Sequence, residues 1–479
     1  MAGRDYSLTG PEAARARERG LAEAEAWFRP VIDPERLRAL SRRSNGRAAA
    51  DTLLWLGLIA GTGLWAWSAR GSWWAVPAFA LYGVLYSGMA DARWHEMGHG
   101  TAFRTRWLND ALYHLACFMI IRGPTLWRWS HARHHSDTII VGRDAEIAVP
   151  RPTTRRQIVV MFLGVPGTIQ MIRRTVRHAR GRLEPDVLSF VPPGETGRVV
   201  REAQVFVALW AAVVVAAVAT RSPVPLLYVG LPSFYGIWVM VFFGLTQHAG
   251  LQEDVLDHRL NTRTVLMNPF FRFLYLNMNY HVEHHLFPTV PYHALPALHR
   301  EVAGQLAPPL PNTRAAYREL LAATARQAVD PRWEIPNRRV PELAGAGRSA
   351  IDTGTRLWHR GPGTAPGPEP ATADAAGLDL GPADTVAEGG LRRVDIGDAT
   401  FVVARVGPSE YRVADGFCTH GRAHLADGVL VGCEVECPRH NGRFDLRTGR
   451  ATRRPATDPV ALHPVTVVGG HLRLTDRSG

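Results

Sequence analysis

His281-Val282-Glu283-His284-His285, running on into Leu286-Phe287-Pro288-Thr289-Val290-Pro291, packs three imidazoles into five residues. Two further stretches repeat the theme, His95-Glu-Met-Gly-His99 and His131-Ala-Arg-His134-His135. Residues three and four apart share a helix face. His95 and His99 can therefore aim at one point, while His131, His134, His135 and His281, His284, His285 form two i, i+3, i+4 sets. Neutral imidazole is a strong ligand for iron, copper or zinc. Eight imidazoles exceed the roughly four to six donors that one ion takes, so two metals are implied. His248, in Thr246-Gln247-His248 at the end of an apolar run, is a ninth candidate ligand, or else a polar residue at a helix end. Any one of these motifs alone is a weak indication; three together are specific. Glu96, Glu283, Asp91 and Asp137, in or beside the motifs, are either acceptors that orient imidazole N–H groups or solvated carboxylates. His114, His178, His258, His293 and His299 lack the spacing and read as structural.

Apolar runs flank the histidines at Thr52–Ala69, Trp73–Ala90, Gln204–Thr220 and Val224–Leu245, without an Asp, Glu or Arg in any of them. Each is near the roughly 20 residues that a helix needs to cross a bilayer. Four such runs in two tight pairs fit a membrane protein better than buried helices of a soluble one. For the histidines to meet on one membrane face, the chain must cross an even number of times between the second and third motifs. The pair Gln204–Thr220 and Val224–Leu245 provides this. Leu108–Ile121 is too short to span, and Ile158–Ile172 must lie in plane. Arg70 and Arg221 are left in the opposite turns, so the positive-inside rule puts the histidines in the cytoplasm. Met1–Arg47 is charged, does not read as a signal peptide, and predicts a helix or two near the membrane.

The formal charge of +12 comes from arginine, since the sequence contains no Lys. Arg151 to Arg182 holds eight arginines and no acid around an apolar centre. That pattern reads as an interfacial segment on an anionic membrane. No base-reading motif accompanies it, which excludes a nucleic-acid partner.

Ala315–Ala328 predicts one more helix. From about Asp330 the chain turns rich in Pro, Gly and Ala, a linker with little apolar surface to bury. From about Asp384 the apolar period changes to two, at Arg393–Ile396, Thr400–Val406, Val465–Val468 and His471–Leu474, which predicts a small all-β domain. The expected organisation is an N-terminal segment 1–51, a membrane domain 52–330, a linker 331–383 and the β domain 384–479. Within the last lie Cys418-Thr-His420 and Cys437-Pro-Arg-His440, a pattern that serves either a zinc site or an iron–sulfur centre. Only Cys117 and Cys433 remain, so there is no disulfide framework and a reducing compartment is expected. Cys433 reads as a small buried hydrophobe.

The three histidine motifs, the apolar hairpins between them and the tail His285-Leu-Phe-Pro-Thr-Val-Pro-Tyr-His-Ala-Leu-Pro-Ala-Leu-His299 resemble the membrane fatty acid desaturase and hydroxylase superfamily over about residues 50–305. The resemblance implies an all-α polytopic membrane domain, about four transmembrane helices in two hairpins under a cytosolic helical cap that holds two non-haem irons. It passes the catalytic and ligand roles to His95, His99, His131, His134, His135, His281, His284 and His285, and the ligand role to His248. The first motif departs from several acyl desaturases, which have one more residue between its two histidines, and this leaves the subfamily open. Cys437-Pro-Arg-His440-Asn-Gly-Arg-Phe444-Asp-Leu-Arg-Thr-Gly449 resembles Rieske ferredoxins. That resemblance implies one [2Fe-2S] cluster, with Cys418 and Cys437 on one iron and His420 and His440 on the other. Arg422 and Arg439 stand where a high-potential subclass has a disulfide, so the ferredoxin type is implied. Gln247-His248-Ala-Gly-Leu and Asn277-Met-Asn-Tyr-His281 resemble the desaturase-like oxygenases of rhizopine breakdown, which a Rieske protein partners.

These resemblances imply an O2-dependent oxidoreductase integral to a bacterial-type cytoplasmic membrane. It would desaturate or hydroxylate an unactivated C–H bond of a fatty-acyl or other lipid. The alternative is hydroxylation or oxidative O-demethylation of a small molecule. A membrane metal transporter with a redox-sensing tail is remote, because transporters place polar ligands within their spans and these spans carry none. A linker of about 50 residues reaches on the order of 40 Å and gives effective concentrations near millimolar. The tethered cluster thus replaces a diffusing ferredoxin. With no dinucleotide-binding fingerprint in the chain, an NAD(P)H-dependent ferredoxin reductase is the expected partner.

Overall fold

The computed structural model describes residues 4–21, 27–335, 340–341, 378–397, 399–421 and 423–475. The centre of the expected linker and Arg422 lie outside the described residues. The chain divides into two units. The first takes the described residues of 1–22, 30–286 and 290–341; the second takes those of 342–479 with 27–29 and 287–289.

The first unit is helical. Its helix Asn45–Ser68 begins where the Ser44 hydroxyl accepts from the Arg47 amide, satisfying a donor that the first turn leaves orphaned. Leu53, Leu54 and Leu64 on it are exposed, as are Val205, Val215 and Val218 on the helix Pro193–Ala219. Among the described residues, these two helices are long and apolar enough to cross a membrane. The other two of the four expected spans are helical but broken into shorter pieces. Trp73–Ala90 passes through a helix at Ala75–Gly83 and a π-helical turn at Val84–Gly88 before entering the helix Met89–His99. Val224–Leu245 comprises a π-helical turn at Leu226–Gly230, a short helix at Pro232–Tyr235 and the helix Trp238–His248. Pro232 has no N–H to continue a helical ladder. Gly83 and Gly236 meet where the two runs cross, and a Cβ on Gly236 would fall 1.9 Å from the Gly83 carbonyl oxygen. The local sequence thus exchanges helical continuity for a close backbone crossing.

Leu108–Ile121 forms the helix Arg106–Met119, packed on Met89–His99. The Tyr113 hydroxyl donates to the Pro124 carbonyl at 2.7 Å, tying this helix to the start of the next. Ile158–Ile172 becomes two helices, Arg155–Leu163 and Val165–Ala179, jointed at Gly164 with φ 70°. Val159, Val160, Leu163, Val165 and Ile169 are exposed on them, as a segment lying in an interface would require. The N-terminal region has helices at Pro11–Glu18 and Pro34–Leu40, and the predicted late helix spans Thr313–Gln327 with Asn312 as its cap.

The second unit is built of β1 (Leu378–Pro382), β2 (Leu391–Ile396), β3 (Ala399–Gly407), β4 (Glu410–Asp415), β5 (Val429–Val431), β6 (Glu434–Glu436), β7 (Arg443–Asp445), β8 (Ala451–Arg453), β9 (Leu462–His463), β10 (Val465–Val468) and β11 (His471–Leu474). They form three antiparallel sheets, ordered β1-β11-β10, β2-β3-β4-β9 and β5-β6-β7-β8. Alternation along β3 feeds two cores: Val402 and Ala404 face Val435 and Phe444, while Phe401 and Val403 face Leu380 and Leu472. β1 lies ahead of the expected start at 384, because Leu378-Asp-Leu-Gly-Pro carries too short an alternation to be told from linker.

Candidate metal centres

Each histidine motif is placed by its own local chemistry. The helix Met89–His99 stops because Gly100 takes the left-handed conformation at φ 63°. The helix Pro124–Ser136 begins on Pro124, whose fixed φ suits a first turn. His281–Leu286 is a short helix entered directly after a bridge between Thr264 and Tyr280. His248 closes the helix Trp238–His248.

These elements bring nine imidazoles into two groups. One holds His95, His99, His131, His135 and His284, the other His134, His248, His281 and His285. Within each group one nitrogen per residue lies within 4.8 Å of all the rest. The division cuts across the motifs, so the second and third each serve both groups. The converging atoms are Nε2: His99 to His131 at 3.1 Å, His135 to His131 and to His284 at 3.2 Å. In the other group His248 to His281 is 3.1 Å and His285 to His281 is 3.2 Å.

Several Nδ1 atoms are anchored from behind. His131 pairs with Glu146 at 3.1 Å and His134 with Asp144 at 2.9 Å. His248 Nδ1 donates to the Asn261 carbonyl at 2.9 Å, and His285 Nδ1 meets Thr138 Oγ1 at 3.2 Å. Asp144 is itself fixed by the amides of Ile139 and Glu146, each at 2.8 Å. Such partners set the tautomer and leave Nε2 as the donor to a metal. The four carboxylates singled out from the sequence have other partners, which for Glu283 include an imidazole outside the two groups. Glu96 accepts from Thr101 Oγ1 and the Tyr292 amide, and Glu283 from Thr264 Oγ1 and His299. Asp91 pairs with Arg122, and Asp137 with Arg133 and Arg143. Glu96, Glu283 and Asp137 are buried, so they are not solvated carboxylates either.

Burial, then the mutual repulsion of neighbouring rings, pushes the pKa of His95, His131, His135, His281, His284 and His285 well below the usual histidine value. His248 falls to about 3 for the same reasons. His134 is the exception: burial opposes its charge, but the Asp144 carboxylate outweighs that and raises it. Neutral rings with Nε2 lone pairs turned to a common point fit metal ions, and an all-imidazole set suits iron. Among the described residues neither buried nitrogen of His95 has a hydrogen-bond partner, as a ligand position would leave them.

In the second unit, Cys418 and His420 sit on the loop between β4 and β5, and Cys437 and His440 on the loop between β6 and β7. The two imidazoles meet Nδ1 to Nδ1 at 3.2 Å. Both thiols are buried and none of the four cysteines is in a disulfide. A hydrogen bond from the Cys437 thiol holds Cys418 down to about 7, aided by the amides of His420 and Gly421. The second loop is locked by buried Glu436, which accepts from Asn441 Nδ2 at 2.8 Å and Arg443 Nε at 2.5 Å. Paired thiols, paired Nδ1 atoms and amides aimed at sulfur fit a [2Fe-2S] cluster of mixed ligation. Cys433 is half-buried and packs against the core rather than being enclosed in it.

The family model for fatty acid desaturases matches residues 71–316, just over half of the chain. The chain belongs to the fatty acid desaturase family. A Rieske [2Fe-2S] domain model matches residues 378–464. The ferredoxin component of the p-cumate 2,3-dioxygenase system of Pseudomonas putida is 43% identical over 90 residues, 19% of this chain and 76% of that protein. The ferredoxin subunit of the 3-phenylpropionate/cinnamic acid dioxygenase of Photorhabdus laumondii is 38% identical over 89 residues, 18% of this chain and 83% of its own. Among solved structures, a Sphingomonas yanoikuyae B1 ferredoxin is 35% identical, covering 21% of this chain and 98% of its own, with a TM-score of 0.20. This member of the desaturase family therefore carries its own Rieske domain, and it is an oxidoreductase.

The positions of Asp144, Glu146, Thr138 and Asn261 were not legible beforehand. Thr138, Asp144 and Glu146 lie on loops, and Asn261 ends the four-residue helix His258–Asn261, so no helical spacing marks them; the one available hint was the pair Asp144-Ala-Glu146 soon after the second motif.

Proposed function

We propose that this protein is a membrane-bound, O2-dependent non-haem di-iron oxidoreductase that oxidises an unactivated C–H bond of a fatty-acyl or other lipid with electrons from its own Rieske domain. The observation that carries the proposal is the convergence of nine imidazoles into two groups within a chain that also has a Rieske domain. His95, His99, His131, His135 and His284 would hold one iron, and His134, His248, His281 and His285 the other. Cys418, His420, Cys437 and His440 would hold the cluster. When bound, the two irons supply O2 activation and the cluster supplies single electrons.

The chain's residues have distinct tasks in this reading. Asp144 and Glu146 orient His134 and His131 so that Nε2 faces the metal. Burial excludes water and keeps His95, His131, His135, His248, His281, His284 and His285 neutral. Desaturation converts R-CH2-CH2-R, O2, two electrons and two protons into R-CH=CH-R and two waters. Hydroxylation converts R-H and the same co-reactants into R-OH and one water. Both consume two electrons, so a carrier delivering them singly serves either, and an NAD(P)H-dependent ferredoxin reductase would recharge it. The helices Asn45–Ser68 and Pro193–Ala219 would span the cytoplasmic membrane, with the two broken runs completing the hairpins and the histidines on the cytoplasmic side.

A second reading is hydroxylation or oxidative O-demethylation of a small molecule. What favours it is that the ferredoxin relatives are components of dioxygenase systems named for p-cumate and 3-phenylpropionate/cinnamic acid. The test is incubation of purified protein, reductase, NADPH and O2 with lipid and metabolite extracts, followed by untargeted mass spectrometry. Loss of two hydrogens from a lipid supports the first reading, and gain of one oxygen or loss of a methyl group from a small molecule the second. No O2-dependent product from either extract would count against both.

A further inference from the structure

Beside the second histidine motif the first unit has a half-open cavity of about 740 Å3, within the size range of small-molecule sites. Its wall includes Asp144 and Ser130. Asp144 holds His134 Nδ1, and Ser130 Oγ donates to Glu146 at 2.8 Å. The cavity therefore lies on the Nδ1 side of these rings, away from the converging Nε2 atoms, and is distinct from the place where a C–H bond would react.

Its lining is divided by chemistry. Trp127, Ile169 and Phe190 provide apolar surface, and Arg173, Arg174 and Arg177 on the helix Val165–Ala179 provide positive charge. The nearby acids are engaged. Glu184 pairs with His178 at 2.6 Å and also with Arg177, and lies 3.8 Å from Arg174. Asp186 accepts from the Leu8 amide at 3.1 Å. Arg174 Nε is buried without a hydrogen-bond partner, and among the described residues Arg173 has no carboxylate within ion-pair distance. Two carboxylates, Glu184 and Asp186, thus face three guanidinium groups, and one positive charge is left over beside an apolar wall.

We propose that this cavity binds an anionic amphiphile, with its carboxylate or phosphate on Arg173, Arg174 and Arg177 and its apolar body against Trp127, Ile169 and Phe190. Arginine is suited to this task because its planar donors match both anions in pairs. The occupant can be a membrane lipid or a soluble amphiphile, since both present the same chemistry.

The experiment uses full-length protein stripped of lipid in a neutral detergent, with radiolabelled dodecyl phosphate and dodecanol as probes in equilibrium dialysis. Dodecyl phosphate should bind at about one per chain and at least about tenfold more tightly than dodecanol, the scale of a charge-assisted hydrogen bond. Arg173→Glu should remove about that factor, Arg173→Lys should keep most of it, and Ile169→Asn should weaken both probes alike. Reconstitution in phosphatidylglycerol or phosphatidylcholine nanodiscs separates the sources. Exclusion of the probe by phosphatidylglycerol alone identifies a lipid, and equal uptake in both a soluble amphiphile; either outcome supports the site. Equal affinity for the two probes, or unchanged binding by an Arg173→Glu protein that melts normally, would overturn it.

Discussion

Replacing Asp144 by Asn changes one buried oxygen to NH2 and tests whether the carboxylate behind His134 supports metal binding. The wild-type group takes three hydrogen bonds, from His134 Nδ1 at 2.9 Å and from the amides of Ile139 and Glu146 at 2.8 Å each. Asn preserves the shape but sets a donor against a donor on one side, and it removes the negative charge that raises the His134 pKa. Losing such a partner of a ligand histidine weakens metal affinity about 10- to 100-fold, which is about 1.4–2.8 kcal/mol. The opposed amide costs a further ~1–3 kcal/mol of folding stability. The assay is ferrous iron titration against a chromogenic chelator, with the visible absorbance of the cluster as an internal count of folded protein. Iron held by the group containing His134 should be lost first while the cluster band stays. Asp137→Asn is the control, since its carboxylate pairs with Arg133 and Arg143. Wild-type iron affinity in Asp144→Asn, or an equal loss in Asp137→Asn, would refute the reasoning.

Three further outcomes are expected. Cys437→Ser or His440→Ala should bleach the cluster and stop NAD(P)H-driven oxidation, with partial rescue by a free Rieske domain only at about millimolar concentration; normal turnover without the cluster would remove it from the electron path. Gly236→Val should prevent folding of the first unit, because a side chain there meets the Gly83 carbonyl at 1.9 Å, beyond the ~1–3 kcal/mol of ordinary overpacking; a normal melting curve would contradict that crossing. Iron-stripped protein should lose stability as pH falls below about 6.5, by ~1.4 kcal/mol per pH unit for each histidine whose folded pKa is depressed. In that window the unfolded chain binds the protons that His95, His131, His135, His248, His281, His284 and His285 refuse when folded. His134 works in the opposite sense, adding stability below its unfolded pKa that is lost as pH rises through its raised one, but it is one group against seven. Melting temperatures that stay flat from pH 7.5 to about 5.5 would contradict this.

The histidine motifs were readable because metal chemistry needs several imidazoles on one face, and helical spacing records that in the chain. His248 was readable for a related reason, as the polar end of an apolar helix. The pairing of motifs into two groups was not readable, because it depends on how separate helices cross. The breaks in Trp73–Ala90 and Val224–Leu245 were hidden for the same reason: each run is apolar throughout, and only the contact of Gly83 with Gly236 shows why their helices are interrupted. For the carboxylates the sequence leaves two alternatives open, because proximity in sequence does not give proximity in space. Glu96 and Glu283 lie next to candidate ligand histidines in the chain, yet Glu96 accepts from Thr101 and Glu283 from Thr264 and His299. In the second unit, period-two alternation exposed β3, β10 and β11, whereas β5 to β8 are three residues each and hold their place through the loops between them.

The central claim is that electrons leave the Rieske cluster for the histidine-bound irons of the same molecule. Its most direct test is to reduce the full-length protein anaerobically, mix it with O2 in a stopped-flow instrument and follow the return of the oxidised cluster absorbance. Wild-type protein should recover in a fast phase whose rate is independent of protein concentration, and His284→Ala, with an intact cluster but a damaged iron site, should show only slow recovery. Equal rates in the two proteins would mean that the cluster reacts with O2 without the histidine site, and the account would be contradicted.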